Sequence, residues 1–152
     1  MIEGTSSAYI SNTCCHLTLR NGTSTSSVSS YINVIIIEVS LIGRSQRIIP
    51  LKMVLDTGAS ITTIPMEAAI AIGCDPAKSK KRIEMITASG TKYAPVVVIP
   101  RLRFFNFELK DVEVICHNLP PQATVSGLLG LNVLKNFDIF LKFRSKILEI
   151  TK

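Results

Sequence analysis

From Tyr31 onward, short runs of β-branched and other apolar residues alternate with clusters of Gly, Pro, Asn and Ser. That is the pattern of strands joined by turns. Ile32 to Leu41 and Ile48 to Leu55 predict two strands connected around Gly43 to Ser45. Pro65 to Ile72 predicts a short helix, because Pro suits a first helical position and Gly73 a position just past the end. Ile83 to Thr87 and Lys92 to Ile99 flank Ala88-Ser89-Gly90-Thr91, a hairpin whose Gly supplies the unusual backbone angle. Arg101 to Phe104 and Phe107 to Leu109 predict another hairpin turning near Asn106, and Asp111 to Cys116 alternates polar with apolar residues, placing Asp111 outward. A loop over His117 to Ser126, a helical turn through Leu131 to Phe137, and strands at Asp138 to Phe143 and Lys146 to Ile150 complete the pattern. Many short strands with one or two short helices predict an all-β fold, a closed or partly closed β-barrel. The first 30 residues differ: 13 are Ser or Thr and none are periodically apolar, which predicts a flexible leader at 1–30 ahead of one domain at 31–152.

Composition narrows the function more than the fold. A chain of 152 residues, 47% hydrophobic and 18% charged, has the length and core of one globular domain. Its longest apolar stretches, such as Val34 to Ile37 and Val96 to Ile99, fall far short of the roughly 20 residues of a membrane span. No membrane partner is expected. The balance of 17 basic and 11 acidic residues gives +6, but only Lys78, Lys80, Lys81 and Arg82 cluster, without interleaved aromatics. That reads as a solvated loop and no nucleic-acid partner. Four cysteines, with Cys14 and Cys15 adjacent, and no signal peptide fit a reducing, cytoplasmic compartment. Cys14-Cys15-His16 and Cys116-His117 lack the spacing of a zinc site, so neither metal nor cofactor is expected. Asn21-Gly22-Thr23 fits a glycosylation acceptor only on a secretory route.

Phosphate-loop and dinucleotide signatures are missing, and Ser126-Gly127 lacks the glycines of a nucleophile elbow. The segment that carries chemistry is Val54-Leu55-Asp56-Thr57-Gly58-Ala59-Ser60. An apolar strand delivers a carboxylate into a tight turn, where Gly58 is expected in a conformation closed to other residues and Ala59 leaves room for a ligand backbone. About 70 residues later come Leu128-Leu129-Gly130 and Asn132.

In these pieces, and in their order, the chain from Tyr31 to Ile150 resembles the retropepsin-like aspartic proteases, in particular their bacterial branch. The matching segments are the Asp56 turn, Ile64-Pro65 opening a helix that ends at Gly73, Thr87-Ala88-Ser89-Gly90 at the flap, and Gly127 to Leu134 before the closing strand. The resemblance implies an aspartic endopeptidase in which two carboxylates share one proton, since like charges that close cannot both ionise. This chain offers one such carboxylate; Asp75, Asp111 and Asp138 lack the setting. A second copy must supply the other, which implies a two-fold homodimer acting on peptide or protein substrates. Asp56, Thr57 and Gly58 are then the catalytic candidates, with Thr57 bonding across the axis and Gly58 holding its backbone near the water. Ala59, Ser60, Ile61, Thr63, Ile86, Ala88, Ser89, Gly90 and Val125 are the substrate-binding candidates, and their apolar or small character implies apolar residues beside the cleaved bond. Retroviral members carry an acid where Ser60 stands and an Arg where Leu131 stands; both are missing together, which avoids a stranded charge. A catalytically silent dimeric peptide-binding module on the same fold is the alternative.

Overall fold

The computed structural model describes residues 34–87, 90–144 and 147–152, together with the backbone of β1 (Ser6–Tyr9), β2 (Cys15–Leu17) and β3 (Ser26–Val28). The rest of the expected leader, including Cys14 and Asn21, lies outside the described residues, as do Ala88, Ser89 and the side chains of Ile86 and Thr87.

The two strands expected over Ile32 to Leu41 and Ile48 to Leu55 become an antiparallel pair, β4 (Ile36–Ile42) and β5 (Ile48–Leu55), in register from Ile36 opposite Val54 to Ile42 opposite Ile48. Along β5, Leu51, Met53 and Leu55 are buried while Pro50 and Lys52 are exposed. Each buried side chain of this size contributes roughly 1.5–3 kcal/mol, which pins the register, because a one-residue slip would expose the whole set. After β6 (Thr63–Ile64) comes α1 (Met66–Ala71), with Pro65 at its N-cap and Gly73 beyond its end at φ +85. Six residues are too few for an independent helix, so burial of Ala68 and Ala69 against the barrel holds it. Asp75 caps a 3-10 turn at Pro76–Lys78 by accepting from the Ala77 N–H.

Five strand segments expected between residues 83 and 116 are three strands in the structure. β7 (Arg82–Thr87) pairs with β8 (Gly90–Phe104), which continues through Pro100 into the next hairpin with β9 (Phe107–Cys116). Pro100 does not end β8, because it and Asp111 fall between the paired positions Arg101–Lys110 and Ile99–Val112, where a missing N–H costs no ladder bond. Asp111 sits at φ +51. There the inward face changes phase: Phe107 and Leu109 pack on the core before it, Val112, Val114 and Cys116 after it. The opposite face of the lower strands is thereby freed for a second apolar cluster of Ala94, Val96 and Ile115, joined by Ile61, Ile83 and Met85.

The chain then crosses back as β10 (Gly127–Leu129), enters α2 (Leu131–Leu134), and ends in a hairpin of β11 (Asp138–Lys142) and β12 (Ile147–Thr151), to which β1 adds. The predicted helix to Phe137 is shorter, its last residues forming turns. Pairing runs β4–β5–β10–β6–β9–β8 and returns from β8 to β4, so six strands close a barrel, as expected. Among the described residues no helix is long and apolar enough to cross a membrane.

Candidate active site

Asp56 leaves the end of β5 and lies beside the end of β10. β10 runs parallel to β5, with Leu128 opposite Val54 and Leu129 opposite Leu55, and pairs on its other side with β6. The Asp56 N–H donates to the Leu129 carbonyl at 3.0 Å, extending that ladder by one residue. Its Oδ1 accepts the Gly58 N–H at 2.8 Å and its carbonyl the Ala59 N–H at 3.3 Å, so the carboxylate folds onto its own turn. Asp56 is half-buried, and Thr57 and Gly58 are exposed.

The expected left-handed conformation at Gly58 is not found; among the described residues only Gly73 and Gly90 have positive-φ glycine backbones. Space at this position is tight instead. A Cβ at Gly58 would lie 3.2 Å from Asp56 Oδ1, against the oxygen that its own N–H holds.

A second layer ties this turn to α2. The Leu131 N–H donates to the Ala59 carbonyl at 2.8 Å and the Asn132 N–H to the Ser60 carbonyl at 3.1 Å. Thr62, fully buried, donates both its N–H and its hydroxyl to Asn132 Oδ1 at 2.8 Å, and its hydroxyl oxygen accepts the Gly130 N–H at 3.1 Å. Asn132 Nδ2 donates to the Glu113 carbonyl at 2.8 Å. Gly130 has no room for a side chain: a Cβ would meet Ile61 C at 2.7 Å and the Ala59 carbonyl and Thr62 N at 2.8 Å. Thr62 was not among the expected site residues, and within Ile61-Thr62-Thr63-Ile64 no local signal sets it apart from its neighbour Thr63. The side chains at the two positions that depart from the retroviral pattern, Ser60 and Leu131, point to no ion pair and lie exposed.

The binding candidates separate. Ala59 and Ile61 are half-buried beside Asp56 in sequence, Ser60 is exposed, and Gly90 opens β8 at φ +108. Thr63 is closed off at 3% exposure, and Val125 packs partly on the main core. Register adds two motif residues, Val54 and Leu128, that were not among the expected substrate-binding residues. Val54, Leu128, Thr63 and Ile115 are successive cross-strand partners, so they share one face, the one opposite core-facing Met53 and Leu129. Val54 is apolar at an outward position, one step from Asp56 on the same side of β5, and that break in alternation was legible. Through Ile115 this apolar face joins the second cluster under the β7–β8 hairpin. Asp75, Asp111 and Asp138 stand elsewhere, at the 3-10 turn, the β9 phase change and the start of β11. Among the described residues no group of three or more His, Cys, Asp or Glu gathers as a metal site.

The crystal structure of a retropepsin-like aspartic protease from Rickettsia conorii superposes with a TM-score of 0.62, covering 82% of this chain and 86% of that one at 20% identity, which shows a common fold. No curated protein matches the sequence. A family profile described as "gag-polyprotein putative aspartyl protease" matches residues 47–136, from the start of β5 through α2. That span exceeds half the chain and contains the Asp56 turn and the Gly130 segment that locks it, so this chain belongs to the retroviral-type, retropepsin-like aspartyl protease family.

Proposed function

We propose that the protein is an aspartic endopeptidase that hydrolyses peptide bonds as a homodimer, with Asp56 of each copy forming the catalytic pair. The observation that carries this is a lone carboxylate fixed by backbone bonds at the end of an apolar strand, beside an apolar face that runs to a hairpin. One deprotonated Asp56 takes a proton from a water held between the pair. The water oxygen bonds to the scissile carbonyl carbon, whose oxygen accepts a hydrogen bond from the protonated partner. A proton then passes to the amide nitrogen, the C–N bond breaks, and a carboxylate and an amine leave. The pKa values belong to the pair, not to either copy. Thr57 and Gly58 hold the turn and its water. The β7–β8 hairpin with Ala88 and Ser89 at its tip covers an extended peptide and excludes solvent. Ile61, Ile86, Val54 and Leu128 favour apolar residues beside the cleaved bond.

The test is cleavage of a peptide library by the wild type and Asp56→Asn, across protein concentrations. Activity that falls on dilution, vanishes in Asp56→Asn and is blocked by a hydroxyl-bearing transition-state mimic supports the proposal. Full cleavage by Asp56→Asn, or by a strictly monomeric species, overturns it; peptide retention without product marks a silent binding module.

A further inference from the structure

The β7–β8 hairpin has two faces. Ile83 pairs with Ala94 on the face of the second cluster, while Arg82 pairs with Pro95 and Glu84 with Tyr93 on the other. That other face borders a cleft of about 340 Å³ whose opposite wall is α1. Met66 and Ile70, four residues apart and so on one side of the helix, stand across from Tyr93 and Pro95, with Pro76 between. Met66, Ile70 and Tyr93 are 39%, 59% and 66% exposed, three large apolar side chains at one opening rather than scattered singly.

Polar groups at this cleft are unequal in sign once their partners are counted. Asp75 lines it, but its carboxylate accepts the Ala77 N–H at 3.0 Å and pairs with Lys78 at 3.6 Å. Glu84, which like Arg82 has no ion-pair partner among the described residues, lies two residues along the same strand face but does not line the cleft. Arg82 has no ion-pair partner among the described residues, and the His117 imidazole no hydrogen-bond partner. The site therefore offers an apolar slot with two unspent donors, one a permanent cation. A guanidinium is a planar fork shaped for a carboxylate.

We propose that this cleft binds a carboxylate carried on an apolar body, with Arg82 and His117 holding the carboxylate and Met66, Ile70 and Tyr93 the body. The ligand comes either from a peptide ending in an apolar residue or from a free aliphatic or aromatic acid. Either touches both α1 and the hairpin arm, and neither needs Asp56.

The test is titration of the isotope-labelled full chain, followed by backbone amide resonances, with 4-phenylbutyrate, with acetyl-Ala-Phe as the free acid, and with their uncharged counterparts 4-phenylbutanol and acetyl-Ala-Phe amide. Saturable shifts are expected at Met66 to Ala71 together with Arg82 and Tyr93, with the uncharged probes binding on the order of tenfold more weakly, as loss of a charge-assisted hydrogen bond implies. The tighter of the two acids identifies the source. Arg82→Gln removes the acid-over-uncharged preference, Ile70→Glu at its exposed position abolishes binding of all four, and Asp56→Asn changes nothing. Equal binding of acid and uncharged probes, an unaffected Arg82→Gln, shifts that vanish in Asp56→Asn, or no saturable shift at all would each overturn the assignment.

Discussion

Replacing Asn132 by Ala should destabilise the protein more than any other single truncation at the Asp56 turn. Its Oδ1 is the acceptor for two donors of Thr62, a residue with no solvent exposure, so both are left without a partner. A buried donor stripped of its acceptor costs about 1–3 kcal/mol, whereas the Glu113 carbonyl, on an exposed residue, recovers a water. The expected loss is about 3 kcal/mol. Thr62→Val keeps the shape but removes the acceptor for the buried Gly130 N–H and one donor to Asn132, for about 2 kcal/mol. The hydroxyl-to-amide bond is counted in both variants, so the double variant should lose about 4 kcal/mol rather than 5, a coupling of about 1 kcal/mol. Urea denaturation of the four proteins at one fixed concentration measures this, since association would otherwise shift apparent stability. In a chain of this length Asn132→Ala should melt about 10 °C lower. Additivity of the single losses to within about 0.3 kcal/mol would refute the network.

Other substitutions read different parts of the structure. Gly130→Ala should fail to fold or lose activity outright, because its Cβ meets three backbone atoms within 2.8 Å that cannot swing aside; a soluble variant with unchanged cleavage would show the segment is looser than described. Asp111→Val should cost about 1–2 kcal/mol, since a β-branched residue resists φ +51, while Asp111→Gly stays within about 0.5 kcal/mol of the wild type; urea midpoints distinguish them. Burial, with a smaller contribution from Cys74, pushes the Cys116 thiol up from 9.0 to about 11. A raised folded value favours the native state fully below 9.0, and that contribution drains away as pH climbs toward 11, so Cys116→Val should flatten the alkaline stability profile over that window. A thiol reagent at pH 8 should label Cys116 only after urea is added.

Legibility in the sequence tracked how local the determinant was. β5 was readable to the residue because its run of Ile, Leu, Met and Val is cut off by the Asp56-Thr57-Gly58 turn, and α1 because Pro65 and Gly73 punctuate it locally. The unbroken run of β8 through Pro100 was not readable, since it depends on Pro100 falling at a position that owes no ladder bond, a fact of pairing with β9. Asp56, Gly58 and Gly130 were visible as motif residues, but what surrounds Gly58 was not: it lies outside the positive-φ region, and a side chain there would press on the carboxylate of Asp56. Thr62 and Leu128 act through partners about 70 positions away and opposite them in register, so no window along the chain contains the interaction.

The latch also bears on the two departures from the retroviral pattern. Six hydrogen bonds join Asp56 and Ala59–Thr62 to Leu129–Asn132, and every side chain taking part in the joining, Thr62 and Asn132, is uncharged. An acid–Arg pair at positions 60 and 131 would add two charges beside Asp56, whose fields would act on its proton and weaken with salt. With Ser60 and Leu131 there instead, the turn is held by groups that do not titrate, and the proton shared in the proposed pair answers to the two Asp56 carboxylates and the apolar face around them. The same neutrality shifts the burden of association. In the proposed homodimer, which lacks an ion pair at positions 60 and 131, apolar surface such as Leu131, 41% exposed immediately after the clamped Gly130, would support pairing of copies, and that pairing should persist at salt concentrations that would screen an ionic interface.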